Sequence, residues 1–174
     1  MIHQVAAVSY WVMALKISFL QNTLLVAILS GLMRLEATSA NETVRQIITD
    51  PSGNIYITGY FTSSFDVDPG PGTVTLNASS VHQGYLAKFN TNGNYVWAYT
   101  FGGSGNNQGL AIDYYNGFIY FSGFVEGTGI SFNDASGSVN LLPKGGLETF
   151  IAKYSINGDI SFVKLVAGTE MNNH

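Results

Sequence analysis

The chain has 174 residues, 46% of them hydrophobic and 10% charged, with a formal net charge of −4 and no cysteine. That hydrophobic content excludes a disordered chain, and the lack of thiols excludes disulfides, thiolate metal sites and cysteine nucleophiles. Seven Lys and Arg without a cluster speak against a nucleic-acid partner, which would demand grouped cations for its phosphates.

Residues 5–33 carry a single charge, Lys16. The run is long enough to span a bilayer, for which about 20 apolar residues suffice. From Met13 onward it reads as a signal peptide, with Lys16 near its start, an apolar stretch Leu24–Met33, and small residues at Thr38-Ser39-Ala40. Met13 is then the expected initiator. Arg34 and Glu36 interrupt the pattern, which leaves an uncleaved membrane anchor as the other reading. Both predict an N-terminal apolar helix within residues 1–40 and a secreted or cell-envelope protein, extracellular or periplasmic, that meets a membrane only if the segment is retained.

From residue 43 the pattern changes to short β-rich runs between Gly, Asn and Asp. Gly53-Asn-Ile-Tyr-Ile-Thr-Gly59 recurs as Gly117-Phe-Ile-Tyr-Phe-Ser-Gly123, 64 residues later. Gly72-Thr-Val-Thr-Leu76 recurs as Gly137-Ser-Val-Asn-Leu141, and Tyr85-Leu-Ala-Lys-Phe89 as Phe150-Ile-Ala-Lys-Tyr154. Asn92-Gly93 is matched by Asn157-Gly158, Trp97 by Phe162, and Ile48-Thr49-Asp50 by Ala111-Ile112-Asp113. Collinear blocks define two repeat units, 41–106 and 107–174. Within each, apolar and polar residues alternate with period two, as in half-buried strands. Asn-Gly pairs between such runs predict type I′ hairpins. Each unit thus supplies about four antiparallel strands, with a fifth run, Arg45–Thr49 or Gly109–Ile112, leading into it. An all-β fold of propeller-like blades follows.

The run Asp50-x-x-Gly-Asn-Ile-Tyr-Ile-Thr-Gly59, then Phe65-Asp-Val-Asp-Pro-Gly-Pro-Gly-Thr73, Leu86-Ala-Lys-Phe89, Asn94-x-x-Trp97-Ala98 and Gly102-Gly103, resembles the bacterial β-propeller repeat called the SBBP repeat. The second unit departs from it at Asn133–Ser136, Phe162 and Ala167-Gly168. The resemblance implies a secreted or surface propeller, commonly part of a longer chain and without an assigned activity. Two blades fall short of the four to eight that typically close a propeller. Gly168–Asn173 aligns with Gly103–Asn107, where a third unit would begin, so a truncated frame, self-assembly through open blade edges and an open two-blade solenoid are the alternatives.

Candidate sites are few. Asp66-Val-Asp68-Pro-Gly70 has the alternating carboxylates that begin a calcium loop, without a third acidic ligand; the competing reading is an Asx-capped turn. Gly102–Gly109 has the glycines of a phosphate cradle but not its Lys, and reads as a flexible inter-blade loop. Ser104 sits outside a nucleophile elbow and His82 is the one histidine in the repeats apart from the C-terminal His174, so a Ser-His-Asp triad is not expected. Glu126, Asp134 and Glu148 are scattered along the chain. Trp97, Tyr56 and Tyr120 are aromatics for packing between sheets or for stacking on sugars. Asn41-Glu-Thr43 and Asn77-Ala-Ser79 fit the glycosylation sequon. The chain is therefore expected to be a non-enzymatic scaffold or recognition module for a protein or carbohydrate ligand, without a cofactor. The alternative is a fragment of a propeller-fold lyase or glycosidase.

Overall fold

The computed structural model describes residues 16–20, 23–28, 31–37, 42–142 and 146–166, the first three stretches by their backbone. All regular structure among them is antiparallel β, and no helix occurs. Three strands lie in the N-terminal run where an apolar helix was expected: β1 (Lys16–Leu20), β2 (Thr23–Ile28) and β3 (Gly31–Ala37), paired in sequence. The physical reason is periodicity. A short apolar run bounded by turn residues, here Gln21-Asn22 and Ser30-Gly31, carries no period that separates a buried strand from a helix.

The first unit continues with β4 (Thr43–Thr49), β5 (Ile55–Phe61), β6 (Ser64–Asp66), β7 (Thr75–Asn77), β8 (Gln83–Phe89) and β9 (Tyr95–Gly102). The second repeats the plan with β10 (Gln108–Tyr115), β11 (Phe118–Glu126), β12 (Ile130–Asp134), β13 (Gly137–Leu141), β14 (Leu147–Ser155) and β15 (Ile160–Val166). Four of the six strands make each blade, in the orders β4-β5-β8-β9 and β10-β11-β14-β15. The expected count of four is right, but the membership differs. The leading run is the first strand of its own blade, and the Val-Thr-Leu strand has left it. The two remaining strands form a hairpin that pairs backward: β12 joins β9 of the first unit, and β6 joins β3.

The turns also differ from expectation. Asn92-Gly93 and Asn157-Gly158 are not type I′ pairs, because only their glycines take positive φ. They close three-residue loops in which Gly93 N bonds Asn90 O and Gly158 N bonds Ser155 O, each next to a bulge. Gly53 ends the same kind of loop, after Asp50. The left-handed pair is Asn116-Gly117, with φ of 48° and 82°, joining Tyr115 to Phe118. This loop is one residue shorter than Pro51–Gly53, so the inner strands align differently from the sequence match. Ile47 pairs with Ile57 as Ile112 does with Phe121, which makes Ile47 and Ile112 equivalent. Asp50 and Asp113 are consequently not counterparts. The first caps a loop, and the second is exposed in mid-strand.

Gly59 and Gly123 are counterparts, and both are demanded by a close approach. A Cβ on either would lie 1.9 Å from a carbonyl of the inner strand, Thr43 O or Gln108 O, where that strand bulges.

Two cores result. Tyr56, Leu86, Trp97 and Phe101 of the first blade, with Phe132 of the β12 strand added to its sheet, pack against Ile112, Ile119, Phe121, Phe150 and Tyr154 of the second. On the opposite face of the first blade, Ile55, Ile57, Phe61, Tyr85, Ala87 and Phe89 form a second buried layer with Phe65 and Val67. The first blade is therefore covered on both faces, and β8 shows it: all seven of its residues are buried.

Candidate functional site

Asp66 and Asp68 end β6 and open the loop to β7. Asp66 Oδ1 accepts from the backbone N–H of Asp68 at 3.0 Å and of Val74 at 2.8 Å, and Asp68 Oδ1 accepts from Gly70 N at 2.8 Å. These bonds are those of the turn reading, since each carboxylate closes the loop on itself. Among the described residues no three of His, Asp and Glu gather closely enough to hold a metal. The substitution Asp66→Asn separates the two roles. It keeps the accepting oxygen, so a cap predicts a change below about 1 kcal/mol, whereas Asp66→Ala leaves two amides unpaired at about 1–3 kcal/mol. Melting curves of both variants with and without calcium check this; a calcium-dependent shift lost in Asp66→Asn would establish a metal site.

The Gly102–Gly109 stretch crosses between the blades and is pinned rather than free. Its organiser is Asn107, fully buried. Asn107 Oδ1 accepts from Gly103 N (2.8 Å) and Glu126 N (3.1 Å). Its Nδ2 group donates to His82 O (2.9 Å), Gly103 O and Gly105 O (both 3.0 Å), and more weakly to Ser80 Oγ (3.3 Å). Ser104 N and Gly105 N donate to Thr128 O and Glu126 O, and Asn106 N to Glu126 Oε2. Every amide from Gly103 to Asn107 is therefore spent inside the protein, and none is presented to a phosphate. Beside this loop lies a groove of about 250 Å³ lined by Ser79, Gln83, Thr100, Ser104, Thr128, Ser131 and Asn133. Its lining is hydroxyl and amide without a formal charge.

Of the scattered carboxylates, Glu148 is buried on β14, and the other two serve local structure. Glu126 Oε2 holds Asn106, and Asp134 Oδ1 caps its own turn while Oδ2 accepts from Ile160 N. Slight burial raises the Asp134 carboxyl, but the bonds from Ile160, Ser136 and Gly137 hold it below the usual carboxylate range. His82 packs its ring on Tyr60, with centroids 4.6 Å apart. Its Nδ1 is buried without a hydrogen-bond partner, so no carboxylate orients the ring through that atom as in a triad. Tyr56 and Trp97 are buried between the blades; the Tyr56 hydroxyl donates to Asp50 Oδ2.

The feature that sequence reasoning missed is a face. Thr58, Tyr56, Leu86 and Lys88 of the first blade point at the second and are buried. Lys88 Nζ crosses the seam to donate to Ile156 O at 2.7 Å, and Trp97 Nε1 reaches the same carbonyl at 3.4 Å. Burial pulls the Lys88 amine below its ordinary range, with Asp50 acting against that pull. Their counterparts on the second blade are Ser122, Tyr120, Ile151 and Lys153. None of these four is buried, and Ile151 is 39% exposed. Lys153 Nζ turns back onto the Phe118 ring, 3.7 Å from its centroid. A hollow of about 530 Å³ opens on this side, bounded by Ile48, Ala111, Tyr120 and Ile151. The matched Lys88 and Lys153 in the repeat were the available signal.

Residues 34–66 match the family model of the SBBP β-propeller repeat, so the chain carries a β-propeller repeat there, spanning β4, β5 and β6. An uncharacterised WD repeat-containing protein, L264, of Acanthamoeba polyphaga mimivirus is 34% identical over 87 residues, covering 44% of this chain. The chain spans 6% of that relative's length.

Proposed function

We propose that the chain is a non-enzymatic repeat module, a scaffold that grows by stacking blades and offers its loops for recognition. The observation that carries this is the face of the second blade that the described residues leave uncovered. Ile151, Tyr120 and Lys153 stand where Leu86, Tyr56 and Lys88 are covered by the following unit. A face built to be buried favours a partner of the same kind, a blade presenting Ile, Phe and Ala as β11 and β14 do. The similarity to repeat proteins supports this reading. So does the use of Glu126 and Asp134 as local acceptors, which occupies both carboxylates with backbone amides. The neutral polar groove beside Asn107 is the surface best suited to an uncharged polar ligand such as a carbohydrate.

Light scattering on the full chain is expected to show concentration-dependent association through this face. Ile151→Glu places a charge at its centre and should leave a monomer with unchanged circular dichroism, since desolvating an unpaired carboxylate opposes docking. A wild-type chain that stays monomeric at every concentration would remove the stacking part of the proposal. Export, the other half of the expectation, depends on residues 5–33 being free to act as a leader or anchor.

A further inference from the structure

We infer that residues 16–37 are strands of a preceding blade, packed on the upstream face of the first unit, rather than an export segment. Three observations converge on this, none needing the position of a side chain in the segment.

The first is register. In the second unit, Phe132 of β12 pairs with Phe101 of β9. In the first, Phe65 of β6 pairs with Ala37 of β3. Phe65 and Phe132 are equivalent, so Ala37 stands where Phe101 stands, 64 residues earlier, the same interval that separates Gly53 from Gly117. β3 thus occupies the place of an outer blade strand, with β2 and β1 paired behind it as β8 and β5 are behind β9.

The second is burial. Ile119, Phe121, Ala152 and Tyr154 of the second blade are 0–2% exposed because the first blade covers them. Their counterparts Ile55, Ile57, Ala87 and Phe89 are all 0% exposed. An upstream face this dry requires a cover of comparable extent. The β6–β7 hairpin supplies part of it through Phe65 and Leu76, and that hairpin belongs to the same sheet as β1, β2 and β3.

The third is the family match, which starts at Arg34, before the expected cleavage residues Thr38-Ser39-Ala40. Cleavage there would cut within the repeat and uncover the Ile55 and Ile57 face. The apolar character of Thr23–Ile28 has a direct explanation in this arrangement. A middle strand covered on both faces needs no polar alternation, as the fully buried β8 shows.

The test is hydrogen exchange read by mass spectrometry on the full chain, expressed in bacteria and purified without detergent. The expected result is an intact mass that includes residues 16–37, with amides of 23–37 exchanging at least about a hundredfold more slowly than in an unstructured peptide, as for strands that open only with their blade. A mass ending near Ala40, a retained segment that exchanges at once, or a chain found only in the membrane fraction would each overturn the inference. The first two outcomes would restore the leader and the third the anchor. Association through Ile151 is read in a separate experiment, so failure of one proposal leaves the other standing.

Discussion

Asn107→Asp is expected to be the most damaging single-atom change in the chain, costing more stability than Asn107→Ala. The amide accepts two backbone N–H groups and donates into a shell of three carbonyls and a hydroxyl. Alanine removes both functions and leaves buried groups unpaired, at about 1–3 kcal/mol for each one that water cannot reach, so a total of about 3 kcal/mol or more is expected. Aspartate keeps the accepting oxygen but turns the donor into a second acceptor facing carbonyl oxygens, with a buried charge added. The carboxyl would therefore fold best protonated. Its folded-state pKa would be raised above the unfolded value, so the penalty is greatest at neutral pH and shrinks as pH falls toward about 4. Urea denaturation of the two variants at two pH values checks this. Equal stability of Asn107→Asp and wild type at neutral pH would mean that the loop is not held by this side chain.

Phe121→Ala is expected to cost about 3–5 kcal/mol, the range for removing a buried aromatic ring. The ring is 2% exposed and lies 5.3–5.5 Å, centroid to centroid, from Phe150, Phe101 and Tyr154. Because Phe101 belongs to the first blade, the cavity would open on the seam and not inside one sheet. Two consequences are separable by denaturant. The midpoint should fall, and the slope of the transition should fall too if the blades no longer unfold together. Against a total stability of about 5–15 kcal/mol, the usual span for a domain, such a loss leaves little margin. Phe118→Ala is the control, since that ring is only half-buried at the outer face.

Much of the fold was legible in the sequence, and the reasons are specific. Ile55-Tyr56-Ile57-Thr58 and its counterpart Ile119–Ser122 repeat both pattern and spacing, so strands, period and blade could be read directly. What escaped was pairing between units. Nothing in Ser64–Asp66 or Ile130–Asp134 says that these strands join a neighbouring sheet, because a ladder is made by backbone groups common to all residues. The register of β10 was misjudged because a two-residue loop replaced a three-residue one, and the visible Asp50 and Asp113 invited a match two residues out of step. Asp66 and Asp68 were legible as candidates for a turn or a calcium loop, and the bonds they make are those of the turn, for the chemistry of an Asx cap is local. Asn107 was invisible as an organiser because its partners come from residues 80, 82, 103, 105 and 126, brought together only by the crossing of the blades.

The backward reach of β12 and β13 means that the repeat of the gene is not the tile of the molecule. A cut at the sequence boundary between residues 106 and 107 would carry away two strands of the first unit's six-stranded sheet, β13-β12-β9-β8-β5-β4. Successive units are thus stitched by backbone bonds as well as by packing, like shingles each nailed through the one before. A tensile load drawn along the chain has to shear that stitch before it can peel a blade free.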